Sequence, residues 1–396
     1  MKTPVEANTG FRVAVSLLGV ICVAMHPSPV EAGAFLIPGL PSPDPNIVTH
    51  APNYSGTGGE IVVTVCIDPM DPNAATLETP VKNVVSAINA FAPATQNLQF
   101  GASNNIPATS FDFESVMLHE VGHCLGLGHP NLASESGLPN DEQDSTATQN
   151  GVNTMTDVDA GTDTLFGSSD DVRGDDVNLQ WYAPGVNNPF LLPAIVDSST
   201  YSRTGALPGG HLFAANADRQ VGALLGVADT EAVMQQGTFN DEAQRVLAND
   251  DVATLMYAGA GYDETAGTAD DYTVELEYVG LTTSCDISVI PATTGLAFCR
   301  VMMTSNVTNH WRVTTGTIEY NTNFADWFFN SDLACLDVTL DWPHNQMLRH
   351  SVCGDINLTS GFSVGAAGIV TLEGDNVIFQ NGTSVADGGE LFIMNP

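Results

Sequence analysis

His119-Glu120-Val121-Gly122-His123-Cys124-Leu125-Gly126-Leu127-Gly128-His129 is the stretch on which the reading of this chain turns. Residues four apart on a helix share a face, so His119 and His123 can aim two imidazoles at one ion. Gly126, three residues past His123, can end the helix in a left-handed conformation, turning the chain back so that His129 reaches the same ion. Three imidazoles leave a fourth position open for water, which suits a catalytic zinc site rather than a closed structural one. Glu120 adjoins the first ligand, placed to take a proton from a water whose pKa zinc lowers towards roughly 7. Met117, Val121 and Leu125 fall four residues apart, which predicts a helix from near Asp112 to about Leu125.

The pattern H-E-x-x-H-x-x-G-x-x-H resembles the metzincin zinc peptidases. DFESVMLHEVGHCLGLG, from Asp112 to Gly128, is similar to the active-site helix of matrixins, and Pro130 stands where serralysin-type enzymes have proline. The resemblance implies an α+β metzincin-like domain that binds zinc through His119, His123 and His129, with Glu120 as general base. It also implies a methionine turn beneath the metal, for which Met155, Met234 and Met256 are candidates. TEAVMQQG followed by RVLANDDVATLMYAG resembles the matrixin order of methionine turn, short loop and a helix opening on paired aspartates, so Met234 is the choice. The chain departs from that family in three ways. More than a hundred residues separate His129 from Met234, no cysteine-switch sequence precedes the helix, and little chain lies between the first strand and the helix. The edge strand that pairs with substrate is therefore expected to be reduced or absent.

Composition supports export. The first 34 residues carry Lys2 and Arg12, an apolar run from Val13 to Met25 and the small-residue sequence Ala32-Gly33-Ala34, which reads as a secretory signal cleaved near Ala34. No later segment offers the roughly 20 apolar residues of a membrane span. The 46 acidic against 10 basic residues, a formal charge of -36, argue against nucleic acid as a partner and leave protein or peptide substrates. Hydrophobic residues at 43% and charged residues at 14% describe a folded chain. Past the signal there remain Cys66, Cys124, Cys285, Cys299, Cys335 and Cys353, an even set in an oxidising compartment. Closeness in sequence suggests Cys285 with Cys299 and Cys335 with Cys353, leaving Cys66 with Cys124. Cys124 lies about 100° round the helix from His123, which favours a disulfide or packing over zinc binding.

Ile61 to Cys66 reads as a continuous buried strand, Thr79 to Phe91 and Asp241 to Tyr257 as helices. Tyr272 to Tyr278, Ala297 to Met302 and Arg312 to Tyr320 alternate like strands. The expected domains are a catalytic one over 35–260 with an insertion at about 131–225, a β-rich sandwich-like accessory domain over 261–355, and a repeat module over 356–396. In the module, Gly361-Phe362-Ser363-Val364 returns as Gly382-Thr383-Ser384-Val385, a 21-residue period that suggests a short β-solenoid or hairpin repeat docked on a neighbour.

Asp163, Asp170 and Asp171 around Gly167 return with the same spacing as Asp263, Asp270 and Asp271 around Gly267. Such turns suit calcium, and equally a solvated acidic turn. His50, His211, His310, His344 and His350 show no paired ligand spacing and receive no role. Two functions follow from these readings: a secreted zinc endopeptidase, or an extracellular adhesion or binding protein on a metzincin scaffold that has lost turnover. Glu120 favours the first, because a retired site could dispense with its base.

Overall fold

The structure is a computed structural model that describes residues 34–36, 48–94, 96–128, 229–235, 237–323 and 325–394, with short backbone strands between 158 and 213. His129, Met155, Asp163, Asp170, Asp171, His211 and the leader up to residue 33 lie outside the described residues.

Ala34–Phe35 (β1), Val48–His50 (β2) and Gly59–Ile67 (β3) are followed by the helix Ala74–Ala90 (α1) and the strand Leu98–Phe100 (β4). The helix Phe113–Cys124 (α2) carries the histidines, and Leu127–Gly128 (β5) follows it. Glu242–Gln244 (β6) and the helix Asn249–Gly259 (α3) lead into Tyr272–Leu281 (β7), Ile287–Ala292 (β8), Ala297–Val307 (β9) and His310–Asn321 (β10). The expected helix from Asp241 therefore begins later. Asp241 sits at φ 60, and the residues after it pair with β4.

One six-stranded sheet runs in the order β7-β3-β8-β10-β9, with β2 pairing β10 beside β8. All neighbours are parallel except β9, which returns antiparallel along β10 as an edge strand. A mixed α/β sheet with one antiparallel edge results. Parallel neighbours need crossover connections, and α1 and α2 lie in that between β3 and β7. Both helices pack on the sheet, α1 against β7 and β3, α2 against β9 and β10. Strand β3 is consequently half-buried rather than enclosed on both faces: Val63 and Val65 are fully buried, while Val62 next to Val63 is 42% exposed. Phe113, Met117, Leu118 and Val121 of α2 join Val63, Val65, Ile287, Val289 and Ile318 of the sheet in one core.

This topology corrects the expected domain division. Strands β7 to β10, assigned by sequence to a separate accessory domain, belong to the same sheet as β3. Alternation shows that a strand has one buried face, but not which helices cover it. The sheet ends on one side in β9, an antiparallel edge strand supplied from beyond α2.

Disulfides follow the sheet as well. Cys335–Cys353 is bonded as its spacing suggests, but the other two pairs are Cys66–Cys285 and Cys124–Cys299. Cys66 lies opposite Ser288, because β3 and β8 are parallel neighbours, and this brings Cys285 to it rather than Cys124. Cys124 faces β9 and finds Cys299 there.

Beyond Val338–Leu340 (β11), Pro343–His344 (β12) and Met347–Ser351 (β13) come Asp355–Leu358 (β14), Ser363–Val364 (β15) and Ile369–Glu373 (β16). Asn376–Phe379 (β17), Ser384–Val385 (β18) and Glu390–Met394 (β19) complete the set. These form three parallel sheets, β11-β14-β17, β12-β15-β18 and β13-β16-β19, a solenoid of three coils. Parallel pairing rules out the hairpin form of the repeat. The sequence repeat matches the last two coils, Val364 lying opposite Val385 and Leu372 opposite Ile393. The first coil, over 338–351, breaks that period, so the module starts earlier than residue 356. Its inner stack contains Leu340, Ile356, Leu358, Val364, Val370 and Leu372. The module docks on the sheet layer, as expected: His350 Nδ1 meets Ala90 O at 3.1 Å and Gln346 Nε2 donates to Met256 O at 3.1 Å. Arg349 there is ringed by Glu60, Glu275 and Glu373.

Among the described residues no helix is long and apolar enough to cross a membrane. Three disulfides place the folded chain in an oxidising, extracellular type of compartment.

Candidate active site

The helix α2 starts where its sequence provides a cap. Asp112 accepts from Ser115 N at 3.1 Å and Ser115 Oγ at 2.6 Å, satisfying a first-turn N–H that has no partner within the helix. Arg245 holds that cap in turn, donating from Nε and Nη2 to the two Asp112 oxygens at 2.8 Å each. At the other end Gly126 has φ +106, and a β-carbon there would stand 2.8 Å from Thr49 O. The left-handed turn read from the sequence is present, and it directs the chain into β5, paired with β1. His129 follows immediately, outside the described residues.

His119 and His123 lie side by side on α2, with ring centroids 4.7 Å apart and planes at 86°. Each ring is held by a backbone carbonyl: His119 Nδ1 lies 2.7 Å from Val233 O, and His123 Nδ1 lies 2.7 Å from Leu127 O. A carbonyl only accepts, so Nδ1 carries the proton in both rings and the lone pair of each neutral imidazole is on Nε2. Metal-ligating histidines are oriented in this way, through their second nitrogen. Burial depresses both imidazoles, His123 to about 3 with help from neighbouring His119, so both are neutral near pH 7.

Glu120 is 5% exposed, and among the described residues its Oε2 has no hydrogen-bond partner. Burial raises its carboxyl to about 8, opposed by the nearby Cys299 backbone N–H. An incompletely partnered buried carboxylate beside two neutral imidazoles is a set that a divalent cation would complete. The residues present thus fit zinc. His119, Glu120 and His123 line a cleft of about 400 Å³ whose apolar walls include Leu36, Val116, Val233 and Phe298. Among the described residues, no group of three or more His, Cys, Asp or Glu side chains converges as metal ligands.

Met234 is buried against α2, where a β-carbon on Gly122 would overlap its sulfur. Its loop is held from two sides. Asp251, in the first turn of α3, accepts from Val233 N at 2.8 Å, Met234 N at 3.1 Å and Ala248 N at 2.8 Å. Gln244 Nε2 donates to Glu231 O and Ala232 O at 3.0 Å each, and Asn97 bonds Glu231. Met256 lies inside α3, packed in the core.

Three contributors were not singled out by sequence: the Val233 carbonyl, the Leu127 carbonyl and the Asp251 carboxylate. The first two are backbone groups with no residue-type signature. Asp251 was visible only as one of a pair opening a helix.

The second acidic turn is built from its own carboxylates. Asp270 Oδ2 accepts from Tyr262 N at 2.7 Å, Asp271 Oδ2 from Gly267 N at 2.7 Å, and Asp263 Oδ1 from Thr265 N at 2.9 Å. Its three aspartates are brought together as the spacing suggests, each turned onto backbone N–H groups, while the first copy lies outside the described residues. Four of the histidines without an assigned role form two buried pairs: His50 Nε2 is 2.9 Å from His310 Nδ1, and His344 Nε2 is 3.1 Å from His350 Nε2.

Compared with protein-family models, curated proteins and solved structures, the chain matches none.

Proposed function

We propose that this chain is a secreted zinc-dependent endopeptidase. The observation that supports the reading is the pair of Nδ1 bonds to Val233 O and Leu127 O, which put the ring lone pairs of His119 and His123 on Nε2 beside buried Glu120. His119 and His123 would hold the metal, with His129 as third ligand on the strength of the motif and the turn at Gly126. Zinc, when bound, supplies Lewis acidity, which acidifies water and polarises a carbonyl. Glu120 takes the proton from the attacking water and delivers it to the leaving amine. Burial raises the affinity of its carboxylate for that proton, and a cation held beside it would favour the ionised form from which the step starts. Apolar cleft walls at Leu36, Val116 and Phe298 exclude water from the reacting bond and receive apolar side chains of an extended peptide.

Incubating the purified protein with casein or gelatin, beside Glu120→Gln and a chelated sample, tests the reading, with metal content measured in each. Hydrolysis by the native protein alone, with zinc retained in Glu120→Gln, is the expected result. Equal hydrolysis by Glu120→Gln would remove the mechanism. Absence of hydrolysis from every sample would favour the adhesion or binding reading.

A further inference from the structure

Leu127 O, the carbonyl that orients His123, owes its direction to β1. That strand pairs antiparallel with β5 in the register Ala34 to Gly128 and Phe35 to Leu127, and Leu36 N donates to Gly126 O at 2.8 Å. Hydrogen-bonded and non-hydrogen-bonded pairs alternate along an antiparallel ladder, so the bond between Leu36 and Gly126 makes Phe35 and Leu127 a non-hydrogen-bonded pair. The N–H and C=O of such a pair point away from the partner strand. Leu127 O is thereby turned towards α2, where it lies 2.7 Å from His123 Nδ1. A slip of one residue would turn this carbonyl into the ladder, out of reach of the imidazole.

Three features fix the register. Phe35 and Leu127 are 1% and 2% exposed, and both side chains enter the main core, where the Phe35 ring lies 6.0 Å from that of Tyr257 on α3. Thr49 Oγ1 of β2 donates to Leu36 O, tying the end of the strand down. Gly128 has no side chain where β1 crosses it, and a β-carbon there would stand 2.7 Å from Phe35 O. The zinc pattern asks for glycine at 126 and not at 128, so the crossing strand is what accounts for Gly128. We infer that residues 34–36, anchored by Thr49, are a positioning strap that keeps Leu127 O on His123 Nδ1 and so holds the Nε2 lone pair of the second imidazole in the cleft. Its consequence at a metal rests on the zinc peptidase reading, whereas the register and the tautomer do not. His119 is held separately, by Val233 O, and serves as an internal reference.

The test compares Gly128→Ala, which presses on the strap, with Thr49→Val, which removes only the hydroxyl that anchors it, both in the full chain. Nitrogen NMR of the histidine rings in metal-free protein reads the tautomers, and titration with zinc alone reads the affinity. In native protein both rings should carry the proton on Nδ1. In Gly128→Ala the His123 Nδ1 proton should exchange with water about tenfold faster while that of His119 is unchanged. Zinc affinity should fall by about 10- to 100-fold, as for the loss of a group that orients a ligating histidine. Thr49→Val should move both quantities in the same direction and keeps the proposal open to test if Gly128→Ala does not fold. Thr49→Ser, which retains the hydroxyl, should restore the native signal and affinity. A His123 ring that keeps its tautomer and protection in both variants would overturn the proposal, as would a loss shared equally with His119, which a general loosening of the fold would give. A strap-dependent His123 signal in a native protein that binds no zinc would instead remove the peptidase reading, leaving residues 34–36 as the holder of that ring.

Discussion

Gly122 and Met234 are matched across the floor of the site: a β-carbon on Gly122 would overlap the Met234 sulfur and stand 3.3 Å from its methyl. Only a helix position without a side chain lets the methionine loop approach α2 between the two histidines. That approach also brings Val233 O to His119.

Gly122→Ala should therefore be destabilising, although alanine is the better helix former. Overpacking a closed contact typically costs about 1–3 kcal/mol, set against up to about 1 kcal/mol of gained helix propensity. Urea denaturation of the metal-free protein should show a lowered midpoint, and zinc titration a weakened affinity, as His119 loses its carbonyl. A midpoint at or above the native one would mean that Met234 yields freely.

Asp251 is the hinge pin of the same loop. It serves three N–H groups, at Val233, Met234 and Ala248, so Asp251→Ala leaves three buried donors without an acceptor. At about 1–3 kcal/mol for each donor stranded, the loss should be several kcal/mol, with Asp251→Asn intermediate because one amide oxygen still accepts. Loss of the groups that orient a metal-ligating histidine weakens metal binding by about 10- to 100-fold. Calorimetry and zinc titration of the two variants would check the order native, Asn, Ala; an unchanged zinc affinity in Asp251→Ala would detach this loop from the site.

The legible parts of the site were the local ones. Spacing of four on a helix fixes which side chains share a face, so His119, Glu120 and His123 could be read without tertiary information. Gly126 was readable for the same reason, since a turn there calls for positive φ. Met234 emerged from family resemblance, and the structure packs it against Gly122 of α2. What resisted reading was non-local. Nothing in Ala297 to Val307 announces that it will run beside α2, because its neighbours are chosen by the crossover of β3 and β8 rather than by its own pattern. The disulfides failed for that reason too: nearness in sequence ranked Cys285 with Cys299, whereas parallel pairing separates them onto different partners. The first solenoid coil was hidden because its core includes Trp342, with His344 stacked on that ring, in place of the aliphatic repeat.

Metal removal should leave the fold standing. The imidazoles are held by carbonyls, and the surrounding core and disulfides do not depend on an ion. Chelation is expected to abolish hydrolysis while far-ultraviolet circular dichroism stays native. Readdition of zinc at about a thousand times its Kd should stabilise the protein by about 4 kcal/mol, visible as a raised Tm. Loss of secondary structure on chelation would show instead that the site is assembled by the metal.

His350 makes a test of pH dependence away from the site. It is fully buried between α1 and the solenoid, with Nδ1 on Ala90 O, His344 against its other nitrogen and the rings of Trp342 and Phe91 around it. Burial lowers its pKa to about 4, so between about 4 and the unfolded value of 6.5 the unfolded chain binds this proton and the folded chain does not. Stability contributed by the neutral ring is intact above 6.5 and is lost as pH falls towards 4, at up to about 1.4 kcal/mol per pH unit. Asp251 and Glu275, raised by burial to about 6 and about 7, act with the opposite sign in part of this window, so the native curve alone is a sum. The informative quantity is the difference from His350→Gln, whose amide can still donate to Ala90 O but does not titrate. Denaturation at pH 7.5, 6, 5 and 4.5, values spanning roughly that window, should find the native protein losing stability more steeply than the variant below about 6.5. Parallel curves would mean that His350 takes up its proton equally in both states, with the solenoid opening around it.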